Sequence, residues 1–246
     1  IADVQDTQNT SDATVRFIRD ALKATKPDLV VFTGDQIKGY GFYLFGGDNK
    51  KKVTECLNKL LTPLAETGIP FTFTFGNHDD QAFSISKKEQ LEIYSSHENC
   101  VAFNADDEID GYCNHNLEIK GEDGQTKLNV YLVDSLTATL DGTCDHVHEN
   151  QLEWYKNTRD RLKEENGEYV PSVVFQHIPV NEIYELLMEV PKGTPNSAQG
   201  YREWDGKFFA MNPERVHVND RSFIGETPSV PEENGGQFDV MNEKGD

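Results

Sequence analysis

The sequence predicts an α/β fold, because short apolar runs alternate with longer segments in which apolar residues recur at helical spacing. Three of the apolar runs end in polar residues of the kinds that bind metals or catalyse reactions. The chain has 246 residues, which is enough for one large α/β domain or two small ones. These observations direct attention to the ends of the predicted strands, where α/β proteins place their ligands.

The first third of the chain alternates two helices with two strands. A helix is predicted over residues 14–26, where Val, Ile and Leu recur at helical spacing. The continuous apolar run 29–33 is typical of a buried parallel strand. Residues 53–66 again show the helical period, and Pro63 is expected to kink or end that helix. A second strand is predicted over the Phe- and Thr-rich run 71–75.

The remainder of the chain predicts further strands, two helices and a long irregular segment. Residues 87–96 are a third helix candidate, and a helix is expected at 149–165, where apolar residues recur at helical spacing. The turn signal 121–124 predicts a hairpin between the first two of three further strands, 116–119, 128–133 and 172–176. From residue 190 to 236 Pro, Gly and Asn become frequent and periodicity fades, so we expect a loop-rich excursion there.

The charge balance excludes several classes of function. The formal net charge is −20, from 43 acidic and 23 basic residues, which argues against binding nucleic acid or an anionic membrane surface. The chain has no run of 18 apolar residues, so a transmembrane helix is not predicted. It begins at Ile1 without a basic, apolar leader, so a signal peptide is not predicted either. The four cysteines show no CxxC pairing, so a structural zinc site is not expected. Compartment and oligomeric state stay open.

Polar side chains follow three of the predicted strands and the N-terminus. The strand 71–75 ends in Gly76-Asn77-His78-Asp79, the strand 29–33 ends in Gly34-Asp35, and His177 follows 172–176. Because the carboxyl ends of parallel strands line one edge of a sheet, these side chains are expected to converge. Each end taken alone also fits a turn or a helix cap. Oxygen donors with imidazole suit Mn, Fe, Zn or Mg, and the candidate ligands are Asp3, Gln5, Asp35, Asn77 and His177.

Four segments, in this order, resemble the motifs of the calcineurin-like metallophosphoesterases: Asp3-Val4-Gln5, Gly34-Asp35, Gly76-Asn77-His78-Asp79 and His177-Ile178-Pro179. The segment 233–238 further resembles the branch related to purple acid phosphatases and Dcr2-like phosphatases. The resemblance implies an αββα sandwich of two mixed sheets flanked by helices, formed by residues 1–246 as a single domain. It also implies a phosphorylated substrate, either a small molecule or a phosphoprotein.

The resemblance implies a role for each candidate residue. Asp35 would bridge two metal ions, with Asp3 and Gln5 at the first and Asn77 and His177 at the second. His78 would bind the phosphate or protonate the leaving alkoxide. The two cations would lower the pKa of a bound water and clamp the phosphoryl oxygens for in-line attack. Asp79 would either orient His78 or lie at the surface.

Three departures from the family pattern qualify this hypothesis. Gln5 stands where the DxH motif has a histidine, and a carboxamide binds a hard cation more weakly than imidazole. Lys38 occupies the position at which purple enzymes have a tyrosine ligand, and Tyr40 is out of register by two residues. No GHxH motif occurs in the chain. Either the chain is a fragment of a longer protein, trimmed at both ends, or it is a short form with an incomplete site.

Two functions from different classes therefore remain. The first is a metal-dependent phosphoester hydrolase that uses a dinuclear centre and His78. The alternative is a phosphoesterase-like binding or scaffold protein in which turnover is impaired. A nucleotide-binding domain is not supported, because neither GxGxxG nor GxxxxGK[ST] follows a predicted strand. The isolated histidines His146, His148 and His217 are weaker candidates, which a solvated surface explains as well.

Overall fold

Two β-sheets face each other, and helices cover the outer face of each. The computed structural model describes residues 1–41, 47–82, 85–137, 143–201, 204–219 and 222–245. The first sheet pairs β1 (Val30–Thr33) in parallel with β2 (Phe71–Thr74). The second is mixed, in the order β3 (His115–Lys120), β4 (Thr126–Leu132) and β5 (Ser172–Phe175). This is the α/β sandwich that the sequence predicts.

Three helices form the outer layer over the first sheet. They are α1 (Asp12–Thr25), α2 (Asn49–Thr67) and α4 (Lys87–Ser95), and a one-turn helix α3 (Asn77–Asp80) follows β2. The side chain of Ser11 caps α1 by accepting the Thr14 N–H group, as expected for a serine before a helix. The apolar faces of α1, α2 and α4 pack with both strands into one core. The helix prediction from apolar period is thereby confirmed for these three segments.

The expectation that Pro63 ends its helix is wrong, because α2 continues through Pro63 to Thr67, and the alternative of a kink stays a prediction. Proline lacks the N–H group that would bond the Lys59 carbonyl, so α2 contains Pro63 at the cost of one backbone hydrogen bond. Pro63 is also buried, so its ring contributes to the core. The helix ends instead at Gly68, which has a φ of 68° in the left-handed region that suits glycine.

The outer layer over the second sheet consists of α5 (Glu149–Asn166) and α6 (Gln237–Glu243). A second core joins β4, α5 and α6 through Tyr131, Val133, Tyr155 and the partly buried Met241. The hairpin predicted at residues 121–124 is confirmed by the antiparallel pairing of β3 and β4. The helix α6 was not predicted, because only two turns of apolar spacing precede the end of the given sequence.

The segment predicted as a loop-rich excursion, residues 190–236, contains two strands of a small antiparallel sheet whose first strand begins just before it. The sheet is formed by β6 (Leu187–Val190), β7 (Ala198–Gln199) and β8 (Phe208–Met211), in the order β6-β8-β7. A 3₁₀ helix, Asn181–Leu186, precedes it. Tyr184 stacks on Trp204 at 5.1 Å between ring centroids, and both contact Phe209. The strands have two to four residues, too few for a period of two to be recognised in the sequence.

Side-chain hydrogen bonds join the two large sheets. The hydroxyl of Thr72 on β2 bonds Nε2 of His115 on β3 at 2.7 Å, and the hydroxyl of Thr74 donates to the Val133 carbonyl at 2.8 Å. His115 is fully buried. Within the described residues, no helix is both long and apolar enough to cross a membrane.

Candidate metal centre

The predicted strand ends meet at one edge of the sandwich. Asp35 lies two residues after β1, Asn77 and His78 follow β2, and His177 follows β5 of the facing sheet. The N-terminal segment runs beside the end of β1: the Asp3 N–H donates to the Gly34 carbonyl at 3.1 Å, and that of Gln5 to the Asp35 carbonyl at 2.9 Å. The fold thus brings the candidate residues together from four separate parts of the chain.

Three of the candidate ligands form a compact cluster. One oxygen each of Asp3 and Asp35 and one ring nitrogen of His177 lie within 4.8 Å of one another. Asp35 is buried, His177 is partly buried and Asp3 is exposed. Among the described residues, this is the one group of three or more His, Cys, Asp or Glu side chains placed closely enough to hold a metal ion.

The backbone at the cluster is unusual. Asp3, Gln5 and Asp35 have φ values of 53°, 45° and 55°, in the left-handed region that non-glycine residues seldom adopt. Such conformations persist only where the surrounding structure enforces them, and they concentrate at functional sites. The sequence contains no local signal for them, because the surrounding packing rather than the residue type imposes these conformations.

His177 presents one ring nitrogen to the cluster. Its Nδ1–H donates to the Thr33 carbonyl at 2.9 Å, which directs Nε2 towards Oδ2 of Asp35 at 3.3 Å and Oδ1 of Asn77 at 3.2 Å. Metal-binding histidines are commonly oriented by such a bond from the other ring nitrogen. Burial lowers the pKa of His177, but the hydrogen bond to Asp35 and the charge of Asp35 outweigh it and raise the pKa to about 9.

His78 lies on the other side of Asp35. Its backbone N–H donates to Oδ1 of Asp35 at 2.8 Å, and its Nε2 lies 3.8 Å from Oδ2 of the same carboxylate. Nδ1 lies 2.8 Å from Oε1 of Gln81 and 3.2 Å from Nδ2 of Asn77, and the shorter contact, to an oxygen that only accepts, favours a proton on Nδ1. Because the side chain is 27% exposed, Nε2 remains accessible to a substrate.

Gln5 faces the cluster with its carboxamide. Its Nε2 points towards Oδ1 of Asp3 at 3.5 Å, and its Oε1 accepts the hydroxyl proton of Tyr40 at 2.9 Å. The Tyr40 ring lies 4.3 Å from the His78 ring between centroids. Tyr40 was judged out of register from the sequence, yet the structure places it beside two of the candidate residues.

Two glycines allow the strand ends to approach each other. A Cβ atom on Gly34 would lie 2.7 Å from the Gly76 nitrogen and 2.8 Å from Nδ1 of His177. Gly34 also has a φ of 91°, which only glycine adopts readily. The Gly-Asp and Gly-Asn-His sequences after β1 and β2 are therefore explained by backbone contact as well as by ligand chemistry.

Asp79 has a structural role that neither of its expected roles describes. It is buried, and its carboxylate accepts the backbone N–H groups of Asp35 at 2.7 Å, Gln36 at 3.0 Å, Ile37 at 3.1 Å and Gly76 at 2.9 Å. It ties the loops after β1 and β2 together and does not lie at the surface. Burial and the charge of Asp35 raise its pKa to about 6, although these N–H groups lower it.

The donor set fits a hard or borderline metal cation. Carboxylate oxygens, a carboxamide oxygen and an imidazole nitrogen are ligands for Mn, Fe, Zn or Mg. Asp35 brings its negative charge into a buried position beside Asp79, and a bound cation would offset that charge. Asp35 is flanked by Nε2 of both His177 and His78, so it occupies the centre of the group.

The weaker histidine candidates lie outside this cluster. His148 bonds Asp110 at 2.8 Å and lies 3.4 Å from Asp145, and its ring is 5.4 Å from that of His146. His146 lines a small polar cavity together with Gln176 and Gln237. His217 is exposed in the segment after β8. None of these three, as the structure describes them, belongs to the metal-ligating group.

Comparison with known proteins agrees with this arrangement. The family model described as calcineurin-like phosphoesterase matches residues 1–206. Two similar proteins of Arabidopsis thaliana are named probable inactive purple acid phosphatases 14 and 29. The first is 30% identical over 69% of this chain and 45% of its own length, and the second is 26% identical over 92% and 63%. Phosphatase DCR2 of Saccharomyces cerevisiae is 30% identical over 77% of this chain and 33% of its own length.

The chain thus spans about half the length of the first curated relatives it matches, between 45% and 63%. The family match includes all of the strand ends that form the candidate centre. On this evidence the chain belongs to the calcineurin-like phosphoesterase family.

Proposed function

We propose that this protein hydrolyses phosphoric esters at a centre built from Asp3, Gln5, Asp35, Asn77, His78 and His177. The observation that carries the proposal is the cluster in which Asp3, Asp35 and His177 bring their ligand atoms within 4.8 Å. Asn77 and His78 adjoin the same carboxylate and imidazole. Two cations, each Mn, Fe, Zn or Mg, are proposed for this group, shared through Asp35.

Each side chain has a distinct task in this proposal. Asp35, Asn77 and His177 would hold one cation, and Asp3, Asp35 and Gln5 would hold the other. Bound cations supply positive charge that stabilises the phosphoryl oxygens and favours deprotonation of the attacking water. In its imidazolium form, with a proton on both ring nitrogens, His78 would donate a hydrogen bond or a proton from Nε2 to the phosphate or to the leaving oxygen, while its Nδ1–H stays with Gln81. Thr33 fixes the orientation of His177.

The substrate is proposed to be a phosphorylated small molecule or a phosphoprotein. The relative from Saccharomyces cerevisiae is named a phosphatase, which supports the broad class. The net charge of −20 disfavours a nucleic acid substrate, whose phosphates require basic side chains. In this proposal, residues 1–246 form a single domain.

A second candidate function is supported by a specific observation. Gln5 replaces the histidine of the family motif, and two of the similar plant proteins bear names that include the word inactive. A phosphoesterase-like protein that binds a phosphorylated partner without turning it over would account for both. It predicts a protein with little bound metal after equilibration with Mn²⁺ or Zn²⁺.

Hydrolysis of p-nitrophenyl phosphate and of bis(p-nitrophenyl) phosphate, with Mn²⁺ supplied, tests the proposal. We expect turnover that a chelator abolishes and that His78→Ala lowers by about 10²–10⁴-fold, the range for losing a general acid. His97→Ala is the matched control, because His97 bonds Asn58 at 3.0 Å, away from the centre. Absence of chelator-sensitive turnover of either ester by the wild-type protein with Mn²⁺ supplied would contradict the proposal.

A further inference from the structure

Tyr40 contacts two of the proposed site residues although no family motif assigns it a role. Its hydroxyl donates to Oε1 of Gln5 at 2.9 Å, and its ring lies 4.3 Å from the His78 ring at an interplanar angle of 47°. The ring is 39% exposed, so burial alone does not explain its position. The hydroxyl is the part of Tyr40 that contacts Gln5, and Gln5 lies beside the candidate cation position at Asp3.

The two ends of the Gln5 carboxamide have different neighbours. One end bonds Tyr40, and the other points towards Oδ1 of Asp3 at 3.5 Å. A carboxylate only accepts hydrogen bonds, so without a cation the NH₂ end must be the one that faces Asp3. Only the end that faces Asp3 is placed to bind a cation shared with that carboxylate.

A half-turn of the carboxamide would exchange the two ends without moving the rest of Gln5. Its oxygen would then face the cation position, and its NH₂ group would face Tyr40. A phenol hydroxyl both donates and accepts hydrogen bonds, so Tyr40 can bond either end. The hydrogen bond to Tyr40 already restricts the rotamers of the long Gln5 side chain. Without that bond, each cation that Gln5 bound would have to restrict them, at a cost in conformational entropy.

We propose that Tyr40 is the positioning residue that holds Gln5 against the cation position at Asp3. The inference rests on the proposed metal-dependent function but concerns only one of the two cation positions. Asp35, Asn77 and His177 form the other position, and their contacts involve Thr33 and His78. Loss of the Tyr40 hydroxyl should therefore affect the two positions unequally.

The test is a Mn²⁺ titration of the intact chain, in which free Mn²⁺ is counted by electron paramagnetic resonance. We expect two binding events in the wild type. Tyr40→Phe keeps the ring against His78 and should weaken one event about tenfold, as loss of a partner that orients a metal ligand commonly does. The other event should stay unchanged. Tyr169→Phe is the matched control, since it removes a phenol bond to Asp160 of α5, which is not part of the cluster.

The Gln5→Ala variant tests whether Tyr40 acts through Gln5. In that background, adding Tyr40→Phe should have no further effect on either binding event. The proposal is overturned by a single event in the wild type, by unchanged binding in Tyr40→Phe, by equal weakening of both events, or by the same loss in the Gln5→Ala background. These readouts do not involve turnover, so failure of the hydrolase proposal and failure of this inference are distinguished.

Discussion

At the residue scale, Asp79 shows how a buried carboxylate shapes the centre without facing it. Its two oxygens accept the N–H groups of residues 35–37 and of Gly76, and so hold the loops after β1 and β2 together. One of those N–H groups belongs to Asp35, whose φ of 55° needs such support. The strained backbone of Asp35 is thus maintained by a neighbouring carboxylate rather than by its own side chain.

Asp79→Asn is expected to destabilise the fold. The substitution keeps the size but replaces one acceptor oxygen by an NH₂ group, which leaves up to two buried N–H donors unmet. We expect the free energy of unfolding in urea to fall by about 3 kcal/mol. Asp80→Asn, at the adjacent exposed position, is the control and should change it by less than about 0.5 kcal/mol. Equal urea midpoints for the two variants would contradict the assigned role.

At the element scale, the centre depends on how closely the ends of β1 and β2 approach each other. The parallel pairing of these strands places Thr33 opposite Thr74, so both strands end at the same level of the sheet. Gly34 then packs against Gly76 and against the ring of His177. A side chain at Gly34 would separate the elements that carry the proposed ligands, and no helix or strand would have to unfold for this to happen.

Comparison of Gly34→Ala with Gly124→Ala separates the effect of crowding from that of backbone conformation. Both glycines have a positive φ, 91° and 78°, but a Cβ atom at Gly124 has no heavy atom within 4 Å. Gly124→Ala should cost about 1–2 kcal/mol for the left-handed conformation alone. Gly34→Ala should cost about 2 kcal/mol more, because it overpacks the contact, and it should also weaken Mn²⁺ binding. Equal melting temperatures would show that crowding is absent.

At the scale of the whole molecule, the site requires both sheets to face each other correctly. His177 comes from the second sheet, and the carbonyl that orients it belongs to Thr33 of the first. Between the sheets, the buried His115 bonds the Thr72 hydroxyl through Nε2 and the Cys113 carbonyl through Nδ1–H. Burial lowers the pKa of His115 to about 4, although the bond to Cys113 raises it, so the ring is neutral near neutral pH.

The low pKa of His115 predicts a loss of stability in acid. The unfolded chain takes up the proton near pH 6.5 and the folded chain only near pH 4, so stability falls as the pH drops between these values. The contribution of this residue is about 3 kcal/mol over that interval. His115→Phe should remove this part of the pH dependence of unfolding, whereas His217→Phe, at an exposed position, should retain it. Parallel pH profiles for His115→Phe and wild type would contradict the argument.

Most of the elements, and the residues that carry the proposed chemistry, could be predicted from the sequence. Local apolar patterns locate four long helices and the strands of both large sheets, and they identify Asp35, Asn77 and His177 as strand ends. Such patterns act over a few residues, because side-chain burial on a helix or strand repeats with that element's own period. They also locate Gly34 and Gly76, although the reason for glycine at these positions is not local.

Only the tertiary structure decided what these residues contact. His177 and Thr33 are 144 positions apart in the chain, and Asp79 and Asp35 are 44 apart. The backbone bonds of Asp79, the contact of Tyr40 with Gln5 and the left-handed conformations of Asp3, Gln5 and Asp35 arise only when separate segments pack together. Local periodicity therefore determined the elements and the candidate ligand types of this protein, whereas packing between distant segments determined which of these side chains meet, which support the cluster and which only orient a neighbour.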